Sequence, residues 1–287
     1  MDILDYAFMQ RALIAAALVG ITAPAIGTYL VQRRQALMGD GLGHVAMTGV
    51  ALGFVLQTSP VWMATLVAVV GAVGMELIRA RGRTSGDVAL AMLFYGGLAG
   101  GVMIINLGGG QTASLLGSMF GSITTVASED VTAMAILAAF VLAVAVGLRR
   151  QLFAVCQDEE FARVTGLPVR ALNLLIAVTA AVTVTVAMRI VGLLLVSAML
   201  VIPVAAAQRL TRSFATTLGL AMAISVTVSL TGTAATYYIN VPSGATIVLL
   251  AIGVFMVLTA LSAPLARRRA RASLAAEEVC TRDDVKV

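Results

Sequence analysis

The chain has 287 residues, 60% of them apolar and 11% charged, with a mean hydropathy of +1.00. Soluble domains are roughly 45–50% apolar and about 25% charged, so these residues cannot cover a water-facing surface. Of the 19 basic residues only Lys286 is a lysine, which excludes a G-x-x-x-x-G-K-[ST] phosphate loop and an intramembrane Schiff base.

Apolar runs of spanning or near-spanning length fall at about 11–31, 43–57, 60–78, 86–105, 131–148, 168–187, 190–206, 215–234 and 245–264. The second is short unless it begins near Met38, and the seventh follows closely on the sixth. A tenth stretch, 113–126, is apolar but short and rich in Gly and Ser, which predicts a re-entrant or interfacial segment. The first run is too long for the core of a cleaved signal and reads as a span. The expected fold class is therefore all-α: a polytopic membrane bundle of 8–9 transmembrane helices, one re-entrant or interfacial segment and a short cytoplasmic helix. One transmembrane domain covers 1–266, and 267–287 form a tail.

Arginine placement orients the chain. Seventeen basic residues fall in one alternating set of loops: Arg33, Arg34, Arg79, Arg81, Arg83, Arg149, Arg150, Arg163, Arg170, Arg209, Arg212, Arg267, Arg268, Arg269, Arg271, Arg282 and Lys286. Only Arg11 and Arg189 fall in the other. Basic loops stay cytoplasmic, so the C-terminus is expected in the cytoplasm and the N-terminus outside. Arginines distributed between apolar runs point to a bilayer as partner and not to nucleic acid. Cys156 and Cys280 are too few for a disulfide framework and fall on the reducing side. Small residues four apart (Gly39/Gly43, Gly49/Gly53, Gly97/Gly101, Gly117/Gly121) predict close helix contacts.

Ionisable residues inside spans are costly and mark functional candidates. Asp40 and His44 are four apart, so on a helix both project from one face, with Thr48 continuing the stripe. A carboxylate and an imidazole at this spacing supply two ligands for a borderline cation such as zinc or manganese. The same pair also fits a helix-capping aspartate beside a backbone-bonded histidine, and the residues alone leave both open. His44 is the only histidine, so no catalytic Ser/His/Asp or Cys/His set is available.

The stretch Asp158-Glu159-Glu160-Phe-Ala162-Arg-Val-Thr-Gly166-Leu-Pro168 has the form of a short amphipathic helix: acidic at its start, where the helix dipole favours it, and ended by Gly and Pro. Glu160, Ala162 and Gly166 match the E-A-A-x-x-x-G pattern of many ABC permeases, with Phe161 at the first alanine. Glu76 lies near Arg79 and reads as paired or snorkelled, Asp87 as a helix-start residue and Arg189 as an interfacial anchor. Tyr237-Tyr-Ile-Asn-Val-Pro-Ser-Gly244 reads as an external turn with interfacial tyrosines.

Taken together, Phe8-Met-Gln-Arg-Ala, Leu37-Met-Gly-Asp40-Gly-Leu-Gly-His44, the 158–168 segment, Val191-Gly-Leu-Leu-Leu-Val-Ser197-Ala-Met-Leu-Val-Ile-Pro203 and Pro242-Ser-Gly-Ala-Thr-Ile-Val resemble, in order and spacing, the permease subunits of zinc/manganese-type ABC importers. The resemblance runs from about 8 to 262. It implies a subunit that dimerises, pairs with ATP-hydrolysing subunits and receives a divalent metal from an extracytoplasmic binding protein, with no permanently bound cofactor. Asp40 and His44 match the family's G-D-x-x-x-H metal motif, and Asp158, Glu159, Glu160, Ala162 and Gly166 fall in its ATPase-coupling segment. Zinc is the first expectation for the cargo and manganese the second. Three positions depart from the family: Thr48 where proline is frequent, Gly43 where serine precedes the histidine, and Asn240 in place of an aspartate. The competing expectation is a proton-coupled secondary transporter with Asp40 and His44 as the relay.

Overall fold

The computed structural model describes residues 6–81, 86–108, 128–239 and 241–262. Among them every regular element is a helix: α1 (Ala7–Gln32), α2 (Met38–Val55), α3 (Pro60–Ala80), α4 (Gly86–Leu107), α5 (Ser128–Gly147), α6 (Arg149–Gln157), α7 (Glu159–Val164), α8 (Val169–Val191), α9 (Leu193–Leu210), α10 (Phe214–Ile239) and α11 (Ser243–Ser262). Eight of these are long and apolar enough to cross a membrane. The ninth expected run is α2. It starts at Met38, because the Gly-Asp-Gly-Leu-Gly-His segment is helical although its polarity lowers its hydropathy, and it is not among the eight. The expected 113–126 segment and the tail 267–287 lie outside the described residues.

Helix boundaries follow local chemistry. Pro60 opens α3, where its missing N–H leaves no bond unmade. Gly192 separates α8 from α9 with φ +86°, a left-handed conformation that a side chain would strain. Pro24 and Pro203 lie inside α1 and α9. Packing on neighbouring helices tolerates both, and Thr28 donates its hydroxyl to the Pro24 carbonyl at 2.7 Å.

The bundle is ordered from inside out. In their apolar windows α1 and α8 are 72% and 67% buried, whereas α11 is 17% buried, so α1 and α8 form the centre and α11 the rim. Trp62, Tyr95, Ile136 and Leu249 project outward, which suits lipid contact because tails solvate apolar side chains as well as a core does. The expected glycine contacts are present. A Cβ on Gly97 of α4 would stand 2.6–2.7 Å from the backbone of His44 and Val45, and one on Gly49 would stand 2.5 Å from Ala64 of α3. Gly27 of α1 and Gly39 of α2 both abut Leu200 of α9, so α9 is seated against two glycine faces. The Gly117/Gly121 pair lies outside the described residues.

Candidate functional site

Asp40 stands in the first turn of α2 and His44 one turn further. Gly97 is the midpoint of α4, and the His44 backbone crosses there. The imidazole therefore sits at half the height of a neighbouring span. On the opposite side, Gly43 meets Leu193 and Gly39 meets Leu200, so α2 and α9 run antiparallel with Asp40 and Ser197 between them. Thr48 donates to the Gly97 carbonyl at 2.6 Å, locking α2 to α4.

The polar groups at this seam are only partly satisfied. His44 Nε2 lies 4.0 Å from Asp40 Oδ1, beyond hydrogen-bond length. His44 Nδ1 is buried without a partner, and the Phe94 ring packs steeply inclined to the imidazole with centroids 4.4 Å apart. The Asp40 side chain is 37% exposed and that of His44 8%, so the pair has one open and one closed side. The Ser197 hydroxyl approaches Asp40 Oδ1 at 3.3 Å and donates also toward the Leu193 carbonyl at 3.1 Å. The N-cap of α2 is Leu37, and no side chain caps it, so the capping aspartate with a backbone-bonded histidine is not the arrangement found. Among the described residues no group of three or more His, Cys, Asp or Glu converges. One chain thus offers a carboxylate, an imidazole and a hydroxyl.

The acidic stretch forms α7, a helix of six residues. Asp158 is its N-cap, with Oδ1 accepting from the Glu160 and Phe161 amides at 2.9 and 3.0 Å. Gly166, with φ +80°, ends it while the Leu167 amide returns to the Ala162 carbonyl at 3.1 Å. Ala162 is buried in the core, whereas Glu160, Phe161 and Val164 face outward, Val164 at 87% exposure.

Glu159 points the other way. Its Oε1 accepts from Arg79 Nη2 at 2.7 Å, Asn173 Nδ2 at 3.1 Å and Arg33 Nη2 at 3.2 Å. Arg79 also grips Glu76 with Nε and Nη2, and Arg33 lies 3.6 Å from the same carboxylate. Four elements meet in this cluster: α1 through Arg33, α3 through Glu76 and Arg79, α7 and α8. Burial alone would raise the Glu159 carboxyl, but the Arg79 hydrogen bond and the Arg79 and Arg33 charges outweigh it, and its pKa lies below the ordinary value. Beside it, burial pushes the Cys156 thiol up to about 12.

The pairing of Glu76 with Arg79 was legible from their i,i+3 spacing. Ser197 and the inward turn of Glu159 were not, because their partners lie 157, 126 and 80 residues away in sequence. Asn240 and the side chains of Asp87 and Arg189 lie outside the described residues.

A helical bundle of apolar spans, with a carboxylate and a half-satisfied imidazole held against the middle of one span, defines a polytopic membrane transport protein. The profile of the ABC 3 transport family matches residues 5–262, and the chain belongs to that family. It is similar to the manganese transport system membrane protein MntC of Halalkalibacterium halodurans, with 31% identity over 88% of this chain and 87% of that one. It is also similar to the chelated iron transport system membrane protein YfeD of Yersinia pestis, with 30% identity over 88% and 84%. A chain of PsaBC from Streptococcus pneumoniae in complex with Fab has the same fold, with a TM-score of 0.79 and 30% identity over 89% of this chain and 92% of that one. The protein is thus the membrane permease subunit of an ABC metal importer, and ATP is hydrolysed on a separate chain.

Proposed function

We propose that Asp40 and His44 are the groups that contact a divalent first-row metal ion as it crosses the membrane. The observation that carries this reading is a buried imidazole with a free ring nitrogen, one turn from a carboxylate that is open on one side. A transport site needs few ligands, because a complete four-ligand shell would hold the ion too tightly for release. Two chains related by dimer symmetry would bring four such ligands together, so a homodimer is part of the proposal. Oxygen and nitrogen donors suit manganese and iron as well as zinc. The names of the relatives speak of manganese and chelated iron, which moves these two ahead of zinc as cargo.

The arginine-rich end faces the cytoplasm in this reading, with the 267–287 tail on that side and a single transmembrane domain over 1–266. The ATPase subunit docks on the outer face of α7 through Glu160, Phe161 and Val164, and the binding protein delivers metal at the opposite end. ATP binding moves α7 and tilts the spans between inward and outward access. With ATP as the energy source, a proton relay through Asp40 and His44 has nothing left to drive.

Radiolabelled manganese, iron and zinc uptake by the complex in proteoliposomes tests the site. Asp40→Ala and His44→Ala are expected to lower uptake of the preferred metal by about tenfold or more while the ATPase still co-purifies. Wild-type uptake by both variants would remove the pair from the path.

A further inference from the structure

A helix of six residues has no stability of its own, so α7 can move the spans only through its attachments. The Asp158 cap fixes its backbone and buried Ala162 seats it, but neither reaches another spanning helix through a directed bond. Glu159 does. One of its oxygens takes three donors from three different elements: Arg33 at the end of α1, Arg79 in α3 and Asn173 in α8. Arg33 is nearly fully buried, its side chain 4% exposed, so its position is set by this cluster and not by solvent.

The Arg33 branch leads toward the metal pair. Arg33 opens the tight α1–α2 turn, in which the Gln35 amide bonds the Leu30 carbonyl at 2.8 Å and the Met38 amide bonds the Gln35 carbonyl at 3.0 Å. Arg34 holds φ +59° there, a left-handed conformation that is uncommon for a residue with a side chain. Two residues after Met38 comes Asp40. Arg33 is thus joined to the start of α2 by covalent chain and short hydrogen bonds alone.

We propose that Glu159 is a positioning residue that ties the docking helix to the spans, and that Arg33 carries its displacement through the α1–α2 turn to Asp40 and His44. The three adjacent acids of the segment then have three separate tasks. Asp158 caps, Glu159 pulls inward, and Glu160 remains on the outer face. This inference rests on α7 being the ATPase dock, and the test separates the two.

The complex with its ATPase is reconstituted in proteoliposomes, and metal uptake is measured per ATP hydrolysed for Glu159→Gln and Arg33→Gln. Phe161→Asp on the outer face serves as the docking control. The tie predicts that Glu159→Gln lowers uptake per ATP about tenfold and Arg33→Gln about threefold or more, with the ATPase still co-purifying. Loss of packing alone would lower the amount of complex and leave the ratio as it was. An unchanged ratio in both variants overturns the tie, as does loss of the ATPase on Glu159→Gln, which would make Glu159 a docking contact. Where Glu159→Gln fails to accumulate, the Arg33→Gln ratio decides by itself. Phe161→Asp is expected to release the ATPase; if the ATPase stays bound, the docking reading fails, whatever the ratios show.

Discussion

At the arginine-rich end Glu76, Glu159, Arg33 and Arg79 satisfy one another, whereas at the α2–α9 seam Asp40 and His44 do not. In the first cluster each carboxylate has at least two donors within 3.6 Å, and Arg79 clasps Glu76 with two nitrogens. In the second, carboxylate and imidazole stand 4.0 Å apart and a buried ring nitrogen has no partner. His44 on one side and Glu76 and Arg33 on the other are buried, where an unmade bond is costly. The difference separates two uses of charge. A satisfied cluster fixes helices in place, and an unsatisfied pair is what the proposed metal contact requires.

Exchanging the charge at each place should therefore have opposite consequences. The largest effect is expected for Asp40→Asn, which keeps shape and removes charge. Metal uptake should fall by about tenfold or more, while the unfolding free energy of the detergent-solubilised complex changes by about 0.5 kcal/mol or less. Glu76→Ala should do the reverse. It leaves Arg33 and Arg79 with one carboxylate between them and should destabilise the permease by about 3 kcal/mol, with uptake per folded complex falling far less than in Asp40→Asn. Equal loss of stability in both variants would erase the distinction.

How much of this was legible in the sequence follows the range of each interaction. Spans were legible because bilayer thickness sets their length, and α2 was underestimated because Gly39, Asp40, Gly41 and His44 interrupt its hydropathy without interrupting its helix. Asp40 and His44 were legible because a helix brings i and i+4 together. Ser197 lies in the Val191–Pro203 motif, but nothing local links α9 to α2. In sequence Asp158, Glu159 and Glu160 are alike, the acidic start of one short helix in the coupling segment. Only the fold reveals that Asp158 bonds its own helix and that Glu159 turns inward to Arg33, Arg79 and Asn173.

Smaller effects sharpen the comparison. Ser197→Ala removes one hydroxyl beside Asp40 and should lower uptake about threefold through looser placement of the carboxylate, with little loss of stability. The pH response of the satisfied cluster follows from Glu159. Its pKa is held below the ordinary carboxylate value, so its contribution is present above that value and is lost only as pH falls through the depressed one. The ratio of uptake per ATP in Glu159→Gln to that in the wild type, in which protonation of His44 cancels, should therefore stay constant as the pH on the ATP side drops from about 7 to about 5. A wild-type value that converges on that of Glu159→Gln across that window would contradict the pairing found for Glu159.

Pulsed electron paramagnetic resonance of Mn(II) trapped in the reconstituted complex, without its binding protein, reads the proposed His44 contact itself. His44 is the only histidine in the chain. An imidazole-nitrogen coupling to the bound manganese is expected in the wild type and should disappear in His44→Ala. A nitrogen coupling that persists in that variant, or bound manganese without one in the wild type, would contradict it.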